Sequence, residues 1–177
     1  GQTPLFMIRE GEDVHDALLA ARGYAIKDPV NMYAAPIAAI ARERPPPVTA
    51  FTVWPPLATQ VEVWAAGGIG QGRIEVMDRA REPKTTLLGR LNDRPAGTVY
   101  VGIAADCAMI HAVEIATDHR RQGLARHLTV AAAFWAQENG ADYLTLVTTQ
   151  ENAAANGLYT SLGMALVGQY HYRILTE

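Results

Sequence analysis

The chain has 177 residues, 49% of them hydrophobic and 19% charged, with a net charge of −3 and one cysteine. That length and balance suit one folded domain, or one plus a remnant, and exclude a disordered chain. A slightly acidic chain has no general attraction for nucleic acid or anionic membrane, so neither is expected as a partner and any anion site must be local.

The first ordered stretch is "EDVHDALLAARGYAIKDPVNMYAAPI", a leucine-bearing helix closed by Gly23 and followed by a short hydrophobic strand pair. "RERPPPV" (42–48) is the one clear linker, stiffened by three consecutive prolines. "PLATQVEVWAAGGIGQGRIEVMDRA" (56–80) reads as two helical pieces parted by a glycine-rich break. "TTLLGRL" (85–91) and "GTVYVGIAA" (97–105) flank the turn residues "NDRPA" and predict a hairpin. "AMIHAVEIA" (108–116) is too short for a convincing helix and reads as a buried strand. After it, Leu128, Ala131, Ala132 and Trp135 fall at i, i+3, i+4 and i+7, one face of a helix that Asn139-Gly140 stops. "YLTLVTT" (143–149) is a strand by its Thr, Val and Tyr content. A second helix starts near Asn152, with Ala155, Leu158, Tyr159 and Leu162 on one face and Gly163 as its cap. "MALVGQYHYRIL" predicts two short antiparallel strands around Gly168-Gln169. From residue 85 the order β-β-β-α-β-α-β-β is that of an α/β sheet of mixed direction.

The two ends echo each other. Setting Gly23 on Gly163 places Leu18 on Leu158, Ile26 on Leu166 and Met32 on Tyr172. On this reading residues 1–44 are the remnant of a degenerate repeat, with the order strand-helix-strand-strand, and residues 48–177 form the main domain. The sequence opens on Gly1 rather than methionine, which leaves two readings: a removed initiator or tag, or upstream sequence.

"HRRQGLARHL" (119–128) crowds Arg120, Arg121 and Arg126 around Gly123 where a strand turns into a helix. A helix N-terminus carries unpaired N–H groups and the positive end of the helix dipole, so it holds an anion without side chains. Gly123 leaves the approach open and Ala125 keeps the first turn narrow; the geometry suits a diphosphate. A solvated cap is the bland alternative. "GGIGQG" (67–72) is not a dinucleotide fingerprint, because its third glycine is misplaced and no strand leads into it. Cys107, the lone thiol, excludes an internal disulfide, and the five histidines lack ligand spacing, so no metal is expected. The absence of a long apolar run or leader excludes a membrane-spanning helix and, with the lone thiol, points to the cytoplasm.

Arg120-x-x-Gly123-x-Ala125 after a strand, followed one strand later by Asn152-x-x-Ala155-x-x-Leu158-Tyr159-x-x-x-Gly163-Met164, resembles the Gcn5-related N-acetyltransferase (GNAT) superfamily over residues 48–177. The resemblance implies an α/β fold with a mixed, mostly antiparallel central sheet flanked by helices, in which the strand matching 108–116 splays from the strand matching 143–149. It implies acetyl-CoA as cofactor, with its diphosphate on the backbone of the loop Arg121, Gln122, Gly123, Leu124, Ala125 and Arg126, Arg120 beside it, and its pantetheine arm added like a strand to backbone groups of Val113 and Ile115. Asn152 is expected to bind that arm, with a plain helix N-cap as the alternative, and amides near Val113 to polarise the thioester carbonyl.

Tyr159 is the expected general acid, the alternative being a core tyrosine. His111 matches one of two histidines used by arylalkylamine acetyltransferases, while Met109 stands at the other, so His111 is the first candidate base. Glu114 is the second; in a regular strand it faces away from His111, and a bulge would reverse that. Ordered water is a third. Thr117 and Met164 stand where the family often has proline and an aromatic. Trp54 and Trp64 are read as core residues before pocket residues. The implied reaction is direct transfer of acetyl to a primary amine of a small molecule in a ternary complex. The alternatives are a peptide or protein amine, or a non-catalytic acyl-CoA-binding module. A homodimer stays open, since partner surfaces often complete sites in that family.

Overall fold

The computed structural model describes residues 3–175; residues 1–2 and 176–177, the outer ends of the segments 1–44 and 48–177, lie outside the described residues. In chain order the elements are β1 (Leu5–Arg9), α1 (Asp13–Ala21), β2 (Tyr24–Pro36), α2 (Ile37–Ile40), β3 (Ala50–Val53), α3 (Ala58–Ala66) and α4 (Gln71–Arg79). There follow β4 (Lys84–Leu91), β5 (Arg94–Ala104), β6 (Cys107–Ile115), a 3₁₀ turn (Thr117–His119), α5 (Leu124–Glu138), β7 (Tyr143–Thr149), α6 (Ala153–Ser161) and β8 (Ala165–Leu175). The fold is mixed α/β, with mostly antiparallel strands flanked by helices. Packing divides it into two compact units, Ala35–Leu146 and the chain up to Ala34 with that from Val147 onward. In the second of these units the last helix and strand pack with the first.

In the unit Ala35–Leu146 the strands run β7-β6-β5-β4-β3, antiparallel except for β6 and β7. The β4–β5 hairpin turns on Asn92 and Asp93, both at positive φ (50° and 59°), the two-residue turn whose twist matches the strands. It is tighter than "NDRPA" suggested, since Arg94 already belongs to β5. One sheet face meets α5. Space is tight there at Gly89 and Gly97: a Cβ at Gly89 would lie 3.0 Å from Leu128 Cδ1, and one at Gly97 2.6 Å from Ile115 Cδ1. The buried stripe of α5 is Leu124, Leu128, Ala132 and Ala136, while Trp135 is half-buried; the helix is rotated from the face read in the sequence.

The other face meets α3 and α4 around Trp64, Met77 and Tyr100, with Trp54, Ile69, Ile74 and Ala112 packed against them. Two buried polar groups are fully accounted for. Gln60 Nε2 donates to Thr86 Oγ1 and Thr98 Oγ1, both at 3.0 Å. Lys84 Nζ donates to the carbonyls of Asp78 and Ala80 (2.8 Å for the latter), where the negative end of α4 receives a cation.

In the other unit the order is β1-β8-β2 followed by the end of β7, and β8 is antiparallel to both its neighbours. Two expected strand pairs are single strands instead. Gly168 sits inside β8 opposite Met32, at a register shift rather than a turn, because β2 and β8 pair with each other and neither folds back on itself. A displacement of 140 residues relates the two halves. It carries α1 onto α6 end for end, and Gly23 (φ +84°) onto Gly163 (φ +83°). Val30 pairs with Tyr170, its own counterpart, so a local two-fold passes between them. Side chains follow the same operation. On α1, Asp16 accepts from His171 Nε2 (2.7 Å) and from Arg173 Nε (2.7 Å) and Nη2 (2.9 Å) on β8. On α6, Asn156 Oδ1 accepts from the counterparts of those two on β2, Asn31 Nδ2 (2.8 Å) and the Tyr33 hydroxyl (2.9 Å).

Candidate active site

The anion-binding loop is built by backbone. After the 3₁₀ turn, Arg120 is extended (φ −70°, ψ 160°), Arg121 takes φ +63° and Gly123 φ +82° as the N-cap of α5. Left-handed residues set among ordinary ones turn successive N–H groups into one concavity, a fixed partial positive charge. His127 N makes the first helical bond, to Gly123 O at 3.1 Å, so the amides that precede it stand at the N-terminal end of α5. A Cβ on Gly123 would touch nothing within 4 Å, so glycine is required there by its φ rather than by space. Leu124 is buried, and only its backbone can serve a ligand. Gln122 Nε2 donates to Asp118 O at 3.3 Å.

Arg120 does not point into this concavity. Its Nε donates to Ile115 O and its Nη2 to Glu114 Oε1, each at 3.0 Å. The Ile115 carbonyl thus accepts one of the two hydrogen bonds a carbonyl oxygen can take.

β6 carries the second half of the site. His111 pairs with Tyr100 and Glu114 with Thr98, so three steps along β6 match two along β5, and Ala112-Val113 bulge opposite Val99. Ala112 takes φ +51°, and its carbonyl accepts from buried Trp64 Nε1 at 2.8 Å. Since Tyr100 and Thr98 share a face, His111 and Glu114 do too, which corrects the regular-strand parity that set Glu114 apart. The His111 ring lies 6.1 Å from that of Tyr100. Burial, then the Arg73 charge, hold its pKa below the usual histidine range, so the imidazole is neutral at pH 7 and able to accept a proton. Glu114 is the more enclosed partner of its ion pair, 16% exposed against 53% for Arg120. Its carboxyl lies against Gly67: a Cβ there would be 2.4 Å from Glu114 Cδ. That is what the first glycine of "GGIGQG" does, and Gln71 of that stretch already begins α4.

Asn152 and Tyr159 lie on the other unit. Asn152 caps α6, its side chain accepting from Ala155 N at 3.1 Å. Tyr159 is buried, its ring 5.9 Å from that of Tyr33, and burial pushes its phenol up to about 12, so the proton stays on. Sequence reasoning missed Gln60, Gly67, Arg73 and Tyr100 on the α3–α4 face. Only Gly67 left a trace, as a glycine doublet at a helix end.

The Acetyltransferase (GNAT) family model matches residues 53–164, well over half of the chain. The chain belongs to the GNAT family. Within it, a stretch of 62 residues is 34% identical to an uncharacterized N-acetyltransferase of Bacillus subtilis (strain 168), YobR. That stretch covers 35% of this chain and a quarter (25%) of the relative's length. Among solved structures, a GCN5-related N-acetyltransferase from Kribbella flavida has a TM-score of 0.69 at 22% identity, covering 99% of this chain and 69% of that one. A tandem GNAT protein from the clavulanic acid biosynthesis pathway has a TM-score of 0.66 at 14% identity, covering 98% and 64%. At those identities the likeness establishes the GNAT fold. Family members generally use acetyl-CoA, and this GNAT chain's loop has left-handed turns at Arg121 and Gly123 at the N-terminus of α5, the backbone chemistry that suits an anionic group. No helix among the described residues is long and apolar enough to cross a membrane.

Proposed function

We propose that the chain is an acetyl-CoA-dependent N-acetyltransferase acting on a primary amine of a small molecule, by direct transfer in a ternary complex. The observation that carries this is the placement of neutral His111 and the Glu114 carboxylate on one face of β6, on the strand that leads into the amide-lined loop. Acetyl-CoA would supply an acetyl thioester. The backbone of Arg121 to Arg126 would hold its diphosphate, and backbone amides near Val113 would polarise the carbonyl oxygen. His111 takes the proton from the amine, directly or through water, as the C–N bond forms. Tyr159, protonated at neutral pH, gives its proton to sulfur as the C–S bond breaks.

The stretch up to Ala34 is read as the end of a second, degenerate copy of the same fold, on the strength of the shared displacement of 140 residues. Leu19 stands in it where Tyr159 stands in the later copy, and Glu12 where Asn152 stands. The acid is thus assigned to one copy alone.

Calorimetric titration of acetyl-CoA, followed by an amine screen for free CoA thiol, tests the reading. Wild type is expected to bind and turn over. Tyr159→Phe is expected to bind with unchanged affinity and lose about 10²–10⁴-fold in kcat, the usual worth of a general acid. Binding without turnover on any amine would make the chain a non-catalytic acyl-CoA module, and turnover on peptides alone would replace the small-molecule acceptor.

A further inference from the structure

The acetyl-CoA reading gives Arg120 one task, beside the diphosphate, yet its guanidinium faces the other way and joins the anion loop to the acceptor-side carboxylate. The two ends of this ion pair are unequal. Glu114 is enclosed between the end of β6 and the Gly67 backbone, and a carboxylate so placed needs a cationic or hydrogen-bonding partner. Arg120 is half-exposed, long, and rooted in the loop itself. A pair with one partner in solvent holds weakly, and a doubly charged diphosphate in the adjoining concavity is the stronger attractor for an arginine.

We infer that Arg120 is an exchange residue: it holds Glu114 while the loop is empty and turns to the diphosphate when CoA binds, leaving the Glu114 carboxylate to receive the cationic acceptor amine. Arg120 is a positioning residue in this scheme and touches no reacting atom. Binding becomes ordered by charge. Before the cofactor arrives the acceptor's ammonium meets a neutralised Glu114, and afterwards it meets a free carboxylate. By linkage, each ligand tightens the other.

This rests on the acetyltransferase reading, and CoA alone serves as the probe. CoA affinity would be measured by calorimetry for wild type, Glu114→Gln, Arg120→Gln and the double variant. If CoA must take Arg120 from Glu114, then Glu114→Gln binds CoA about two- to five-fold more tightly than wild type, the range of a weak ion pair. In the Arg120→Gln background the same change has no effect, because no pair remains to break. A gain that persists in that background would be long-range relief of negative charge and would overturn the exchange. So would unchanged or weaker CoA binding by Glu114→Gln, or Arg120→Gln that binds CoA as well as wild type. Arg120→Lys keeps the charge but cannot donate from two nitrogens at once, and is expected to fall between. A wild-type chain that does not bind CoA would overturn the acetyltransferase reading itself.

Discussion

Trp64→Phe tests whether the β6 bulge is held from α3. Trp64 is fully buried, and its Nε1 donates at 2.8 Å to the carbonyl of Ala112, whose φ of +51° an alanine adopts only under outside constraint. Phenylalanine keeps the six-membered ring and removes the donor. The stranded carbonyl costs about 1–3 kcal/mol. The space left by the rest of the indole adds about 1–2 kcal/mol, a fraction of a full Trp→Ala truncation. The expected loss is about 2–5 kcal/mol, a large share of the ~5–15 kcal/mol that stabilises a typical domain. Urea denaturation followed by circular dichroism measures it. Because the bulge puts His111 and Glu114 on one face, kcat/KM should fall as well. A loss under about 0.5 kcal/mol, the level of an unremarkable surface substitution, would mean that the bulge does not depend on this bond.

Three further outcomes follow from single contacts. Gly67→Ala places a Cβ 2.4 Å from the Glu114 carboxyl, so Glu114 must shift; the amine KM should rise, and loosening of the Arg120–Glu114 pair should tighten rather than weaken CoA binding, measured by steady-state kinetics and calorimetry. His111 has its native pKa held below 6.5 by burial and Arg73, so the unfolded state binds its proton more readily. Its stability contribution is therefore whole above about pH 6.5 and is lost as pH falls through the lower native value. His111→Gln should flatten that part of the stability–pH curve and remove the acid limb of the rate profile. Asp16 is held well below the usual aspartate range by the Arg173 guanidinium first and then His171, against the opposing effect of burial, so its contribution is present above its unfolded pKa and lost as pH falls below it. Asp16→Asn should make acid unfolding less steep at the low end, read by circular dichroism against pH.

What could be read from the residues alone was whatever is signalled locally. Asn139-Gly140, Asn152 and Gly163 end or begin helices through their own backbone preferences, and the structure has them there. Gly123 was legible as a break at the start of α5, though for its open approach rather than for the left-handed φ the structure shows. The bulge has no such marker: Ala112 is an ordinary strand residue, and its positive φ comes from Trp64, 48 positions away. Parity alone therefore left the face of Glu114 open, opposite to His111 in a regular strand and beside it in a bulged one. The long β2 and β8 were each read as a pair of short strands, β8 around Gly168-Gln169; Lys27/Val30 and Met32/Tyr33 are instead places where two paired strands slip by one residue. Arg120 carries the least local information of all. Nothing in an arginine near a glycine says that it reaches back to Glu114.

The short run from His111 to Arg126 contains both chemistries, and it contains them for one reason. The bulge turns two side chains to the α3–α4 face and exposes a twisted peptide; a few residues later the chain turns again, through Arg121 and Gly123, to expose the amides of α5. On the proposed reading, cofactor recognition rests on backbone, which most substitutions leave intact. Acceptor recognition would rest on side chains that α3 and α4 bring to the face, such as Arg73, Met77 and Tyr100. Changes on α4 should alter which amine is used without moving CoA affinity, whereas changes of φ at Gly123 should do the reverse. Arg120 is the one side chain that breaks this division, since it is anchored in the first region and bonded to the second.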